Sequence, residues 1–175
     1  MVFKPFHPPH IYLDNTIYFI TARTRDKWKY FNTDRRKLLI NNILKSVIKQ
    51  YDLQLYAWVI LANHYHLLIK IKSNNQLIRF IKSFHGQSAI SLNKIDKIPG
   101  RKIWVNYWDH CIRDEKDFWR HFNYIHHNPV KHKCVTLIND YKFSSYREYL
   151  EKNGEEWLGS CFRLYPIIDF TPQDL

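Results

Sequence analysis

Residues 63–72, Asn63-His64-Tyr65-His66-Leu67-Leu68-Ile69-Lys70-Ile71-Lys72, constrain what this chain can fold into more than any other stretch. Side chains alternate between faces along a strand, so His64 and His66 share one face with Leu68, Lys70 and Lys72. The other face is Tyr65, Leu67, Ile69 and Ile71, apolar enough to sit on a core. Residues 53–61 make a second apolar run, apolar on both faces, as a central strand would be. Ala62-Asn63 leaves room only for a tight connection, which predicts an antiparallel hairpin. Two histidines at i, i+2 converge on one point in space, as a metal clip requires. Taken alone, the pair fits two edge imidazoles with no ligand better than it fits a metal clip.

The rest of the chain supplies a frame for that hairpin. Residues 17–24 are β-branched and aromatic and predict a first strand, with Arg23 and Arg25 at its rim. Asn32-Thr33-Asp34 offers helix caps. Leu38, Leu39, Ile43, Val47 and Ile48 follow at helical spacing to about residue 51, a helix for the core face of the sheet. After a polar turn at 73–75, Leu77, Phe80, Ile81 and Phe84 mark one face of a helix over 76–92. Arg79, Lys82 and His85 stripe its other face, and Lys97, Arg101 and Lys102 make the following loop basic. Residues 103–112 predict another strand. Asp114-Glu115 caps a helix over 116–127, which Asn128-Pro129 should close, because proline cannot continue the hydrogen bonding. A short helical stretch to Lys152 and an irregular segment over 157–175 complete the chain. The order β-α-β-β-α-β-α predicts an α+β fold, an antiparallel sheet with helices packed on it, of ferredoxin or RRM-like type. Residues 1–150 read as one domain with a proline-bearing N-terminal arm over 1–14, and residues 151–175 as a tail packed on or near it.

Charge and aromatic content narrow the partner. A net charge of +11 calls for phosphates, and 17% aromatic residues can stack unpaired bases. No apolar run approaches the roughly 20 residues of a membrane-spanning helix, and the N-terminus has no signal-peptide core. The expectation is a cytoplasmic, nucleoid-associated protein with no membrane partner. Cys111, Cys134 and Cys161 are widely spaced and odd in number, which fits reduced thiols and no zinc framework.

A second dense run is Phe122, Tyr124, Ile125, His126, His127 and Asn128. Tyr124 and Asn128 are i, i+4 and share a helix face. If that face meets the histidine strand, Asn128 completes a His-His-Asn metal set with the Tyr124 hydroxyl beside it. Tyrosine is a poor nucleophile at its free pKa of about 10, and a metal that polarises a phosphate supplies what it lacks. Three readings stay open on residues alone. They are a tyrosine-nucleophile strand transferase, a non-catalytic RRM-like module binding single strands, and a metal-dependent phosphodiesterase using activated water. His126 and His127 are accessory candidates for metal binding or proton transfer. His85, His110, His121 and His132 have no convergent partner derivable from spacing.

The quoted residues resemble a known family. Asn63-His64-x-His66-Leu67-Leu68 is similar to the HUH motif of the IS200-like single-tyrosine transposases. Asp109 to Glu115, Tyr124-Ile125-His126-His127-Asn128-Pro129-Val130 and Tyr141-Lys142-Phe143-Ser144-Ser145-Tyr146 resemble further family blocks in the family's order. The last two look most like the REP-associated tyrosine transposase branch.

The resemblance implies an HUH-endonuclease core that cuts and rejoins single-stranded, hairpin-bearing DNA through a 5′-phosphotyrosine intermediate, with Mg²⁺ or Mn²⁺. By motif position, His64, His66 and Asn128 would be metal ligands and Tyr124 the nucleophile. Arg23, Arg25, Arg79, Lys82, Lys97, Arg101, Lys102 and Lys131 are the candidate DNA contacts. The resemblance allows a monomer or a homodimer, and the tail favours the monomer. Three departures stand out: Ala62 where the family has proline, Tyr65 where it has a smaller aliphatic, and Lys131-His132-Lys133 where it continues Arg-Ala-Gly.

Overall fold

The computed structural model describes residues 13–170. The expected arm over 1–14 lies outside the described residues apart from its last two positions. The elements are β1 (Ile17–Thr24), α1 (Asp34–Gln50), β2 (Gln54–Ile60), β3 (His64–Lys70), α2 (Asn74–Asp96), β4 (Trp104–Cys111), α3 (Glu115–Lys131), α4 (Tyr146–Asn153) and α5 (Glu155–Leu164). The strands form one antiparallel sheet in the order β2-β3-β1-β4. This is the split β-α-β arrangement of the ferredoxin-like class, and the expected α+β fold is borne out. Among the described residues no helix is long and apolar enough to cross a membrane.

Strand alternation sends two sets of side chains to two cores. Tyr18, Ile20, Ala22, Trp58, Ile60, Tyr65, Leu67 and Ile69 pack with Ile40, Leu44 and Val47 of α1 and Leu77, Phe80 and Phe84 of α2. Phe19, Ala57, Val59, Leu61 and Leu68 face the other way and pack with Phe122, Tyr124 and Ile125 of α3 and Leu158 of α5. The helices therefore cover both faces of the sheet, and α3 roofs the face that carries His64 and His66. The helix caps fall where the sequence puts them: Thr33 accepts from the Arg36 N–H and Asp114 from the Asp117 N–H.

Three expectations are corrected. Residues 53–61 were expected in the sheet centre, yet β2 is an edge strand. It is apolar because helices cover both its faces and residues 143–145 lie along its free edge. There the Ile60 N–H donates to Phe143 O at 2.9 Å and the Ser145 N–H to Trp58 O at 3.0 Å. That covering blunts an edge that would otherwise invite a second chain. The expected stop at Asn128-Pro129 does not occur, and α3 runs to Lys131 with Pro129 inside it. Proline removes one helical hydrogen bond. Asn128 and Pro129 are both buried, and the His132 N–H still reaches Asn128 O at 3.0 Å. Tertiary packing overrides the local preference, and the extra turn carries Lys131 and His132 to the site described below. Finally, the expected irregular end contains the regular helix α5, whose Leu158 is fully buried.

Ser145 fastens these parts together. Its Oγ accepts the Trp58 N–H at 3.0 Å and is bonded to His126 Nε2 at 2.8 Å, all of it buried. The Tyr141 hydroxyl donates to Ile60 O at 2.7 Å in the same region. The Ser145→Ala variant leaves two buried polar groups unpartnered, so it is expected to lower stability by about 2–4 kcal/mol. Urea unfolding midpoints at constant m-value check this, and an unchanged midpoint would refute it.

Candidate active site

The site forms where the β2–β3 hairpin meets the last turns of α3. The Leu61 N–H donates to His64 O at 2.8 Å, closing the tight turn and placing His64 and His66 at the mouth of the sheet. Tyr124, Asn128 and His132 follow one another at i, i+4 and i+8 along α3 and the residue that caps it. A pocket of about 540 Å³ opens between them, lined among others by Thr21, Arg23, Lys27, Lys29, His64, His66, Tyr124, Lys131 and His132.

The hydrogen bonding assigns tautomers. The Asn63 amide nitrogen donates to Lys27 O at 3.0 Å, so its oxygen is the atom 2.7 Å from His64 Nδ1. His64 therefore carries its proton on Nδ1 and offers the Nε2 lone pair. That lone pair faces the Asn128 side-chain oxygen at 3.2 Å. The His66 ring lies 5.2 Å from the His64 ring and 5.3 Å from Tyr124, centroid to centroid. Among the described residues neither ring nitrogen of buried His66 has a hydrogen-bond partner. Burial, with His132 nearby, lowers the His64 pKa to about 4, and burial drives His66 well below its ordinary value. Both imidazoles are neutral at pH 7. Two neutral nitrogens and an amide oxygen without protons between them form the donor set of a divalent cation, so the residues fit a metal.

Tyr124 stands over this set, 5% exposed. Burial raises its pKa, while the Lys131 charge and hydrogen bonds with Lys131 and Asn128 pull it partway back. Lys131 Nζ sits 5.2 Å from the Tyr124 ring centroid and donates to Asp169 at 2.6 Å. Phe170 lies against the Tyr124 ring at 5.5 Å.

The structure brings together His64, His66, Asn128, Tyr124, Arg23 and Lys131 from the sequence reading. It separates others. His126 is buried against Phe122 and Ser145, away from the pocket, and His127 does not line it. Arg79, Lys82, Lys97 and Lys102 are exposed on α2 and the loop after it, on the far side of the sheet. Arg101 is engaged with Asp96 and Asn93, and Arg25 lies 3.6 Å from Asp26. Lys27, Lys29, His132 and Cys134 also line the pocket and were not foreseen. For Lys27 and Lys29 the signal was available, since basic residues directly follow the first strand. His132 needed the helix to pass Pro129. Tyr65, odd for the motif, finds its hydroxyl partner in His85 Nε2 at 2.8 Å, inside the other core.

A family model described as IS200-like transposase matches residues 12–128. The chain belongs to that family of DNA-acting enzymes. Within it, a protein of Haemophilus influenzae assigned to the REP-associated tyrosine transposases is 31% identical over 159 residues, covering 82% of this chain and 88% of the relative. The REP-associated tyrosine transposase of Escherichia coli K12 is 28% identical over 158 residues, covering 89% and 86%. A solved structure of a REP-associated tyrosine transposase bound to a REP hairpin matches with a TM-score of 0.69 at 20% identity, covering 95% of this chain and 94% of that one. At that identity the match bears on the fold alone. With the curated relatives, the REP-associated branch is where this chain falls.

Proposed function

We propose that this chain cuts and rejoins single-stranded DNA at hairpins, with Tyr124 as nucleophile and a divalent metal held by His64, His66 and Asn128. The observation that carries the reading is the unpartnered His66 imidazole beside Tyr124, with His64 Nε2 and the Asn128 oxygen turned to the same space. Bound there, the ion would neutralise and polarise the scissile phosphate. The Tyr124 oxygen attacks phosphorus, forming the O–P bond as the bond to the 3′ oxygen breaks. The phenol proton departs, the 3′ oxygen leaves as a hydroxyl, and the 5′ phosphate stays on the protein. The reverse step, with another 3′ hydroxyl, rejoins the strand. Lys131 and Arg23 would hold phosphate oxygens at the mouth, with Lys27 and Lys29 opposite. Two imidazoles in the set favour Mn²⁺ over Mg²⁺.

The hairpin part of the reading is supported by the related transposase whose structure holds a REP hairpin. The exposed Arg79, Lys82, Lys97 and Lys102 would grip duplex phosphates without reading sequence. All four reacting side chains come from one protomer, which supports a monomer that completes its own site. The RRM-like alternative needs an open sheet face for stacked bases, and both faces here are covered.

The test is a covalent-adduct assay. The protein is incubated with labelled hairpin DNA and Mn²⁺, denatured in SDS, and resolved by mass. A metal-dependent band at protein-plus-DNA mass that His64→Ala abolishes is the expected result. Cleavage with no adduct would replace this reading with the water-activated phosphodiesterase.

A further inference from the structure

We propose that His110, Asp117 and His121 form a second divalent-cation site, of the zinc type, that fastens α3 to β4. It does not rest on the transposase reading, because it uses none of the residues assigned to the reaction. Asp117 and His121 are i, i+4 on α3, so they share a face one turn apart, the spacing by which helices present paired metal ligands. His110 reaches them from β4. One ligand atom from each of the three lies within 4.8 Å of the others.

The separations suit an ion. One Asp117 carboxylate oxygen is 2.8 Å from His110 Nε2, and the other is 3.1 Å from His121 Nδ1. Metal–ligand bonds of about 2.0–2.2 Å at the tetrahedral angle of zinc place neighbouring donors about 3.3–3.6 Å apart, so binding would need both donor pairs to open by a fraction of an ångström. A cation would replace the protons now shared between imidazole and carboxylate. Each imidazole would adopt its other neutral tautomer, which for His121 moves the proton to the buried Nε2, a nitrogen with no hydrogen-bond partner among the described residues. One bond must open, from His121 Nδ1 to Asp117 backbone oxygen at 2.8 Å. The Arg113 N–H, 3.2 Å from the same carboxylate, orients it as an outer partner orients a ligand. His121 is fully buried, whereas His110 and Asp117 are 17% and 18% exposed. The cluster is thus closed on the core side and open to water on the other. Two imidazoles and one carboxylate suit zinc and its transition-metal neighbours, and not Mg²⁺ or Ca²⁺.

The role is structural. Tyr124 sits one turn beyond His121, so an ion joining α3 to β4 would set the height of the tyrosine over the His66 strand.

The full chain carrying His64→Ala, His66→Ala and Cys134→Ser, which removes the other candidate ligands, is stripped with chelator and titrated with Co²⁺. One equivalent with visible d–d bands, displaced by Zn²⁺, is expected. Zn²⁺ at about a hundred times its Kd should raise the melting midpoint by about 5–10 °C. Adding His110→Gln or Asp117→Asn should remove both effects, with circular dichroism confirming the fold. Should the multiple variant not fold, the Cys134→Ser chain is compared with and without His110→Gln, and the bound ions per chain should fall by one. No bound ion at this cluster, or binding unchanged by His110→Gln and Asp117→Asn, would overturn the proposal and leave a metal-free hydrogen-bonded clamp.

Discussion

Replacing Tyr124 by phenylalanine is expected to eliminate the protein–DNA adduct and to reduce strand cleavage by at least about 10³-fold. The substitution is unusually clean. The ring packs edge-on against Phe19 at 5.9 Å, His66 at 5.3 Å and Phe170 at 5.5 Å, with Lys131 above it. All of those contacts are made by the ring and survive. What is lost is one hydroxyl whose partners are Lys131, which lines the pocket, and the buried Asn128. Stability should therefore change by no more than about 1 kcal/mol, and hairpin binding should persist because the basic groups remain. A loss of cleavage with binding and unfolding midpoint intact assigns the hydroxyl to the chemical step. Cleavage within tenfold of wild type would mean that water, not Tyr124, attacks the phosphate.

The parts of this site that the sequence discloses are those governed by short-range geometry. Strand alternation puts His64 and His66 on one face, and helical spacing puts Tyr124 and Asn128 on another. That the two faces meet is a tertiary fact, and the motif resemblance, not periodicity, anticipated it. The same boundary explains the errors. Apolar content on both faces of residues 53–61 reports coverage by helices, and a covered edge strand gives the same pattern as a central one. Asn128-Pro129 reads as a helix stop because local rules carry no information on what buries those two residues. His110 has no partner in the local spacing because it lies on β4, across an element boundary from the Asp117–His121 pair of α3 that it meets. In the opposite sense, Tyr65 looked like a departure from the motif and is accommodated by His85, twenty residues further along the chain.

The density of buried imidazoles makes acid sensitivity the second large effect. His66, His121 and His126 are between 0% and 3% exposed, and their surroundings keep them neutral. Burial lowers His126 to about 3 and His121 to about 4, and holds His66 well below its ordinary value. Burial likewise lowers His85 to about 3 and His64 to about 4. The folded pKa values lie below those of the unfolded chain, so acid favours the unfolded state. Below pH 6.5 the unfolded chain takes up protons that the folded chain refuses, and the difference keeps growing until pH falls to 4 or 3. At pH 5.5 each such histidine costs on the order of 1 kcal/mol, and the three buried ones a few kcal/mol together. That is a large share of the 5–15 kcal/mol typical of a domain. The carboxylates cannot mimic it in this range, because Asp96 and Asp117 are held below their ordinary value and lose their contribution only at lower pH. In metal-free buffer, the urea midpoint should be level above pH 7.5 and fall steeply from pH 6.5 to 5. A midpoint unchanged between pH 7.5 and 5 would show that these imidazoles take up protons as readily in the folded as in the unfolded chain, and would refute the claim that burial keeps them neutral in acid.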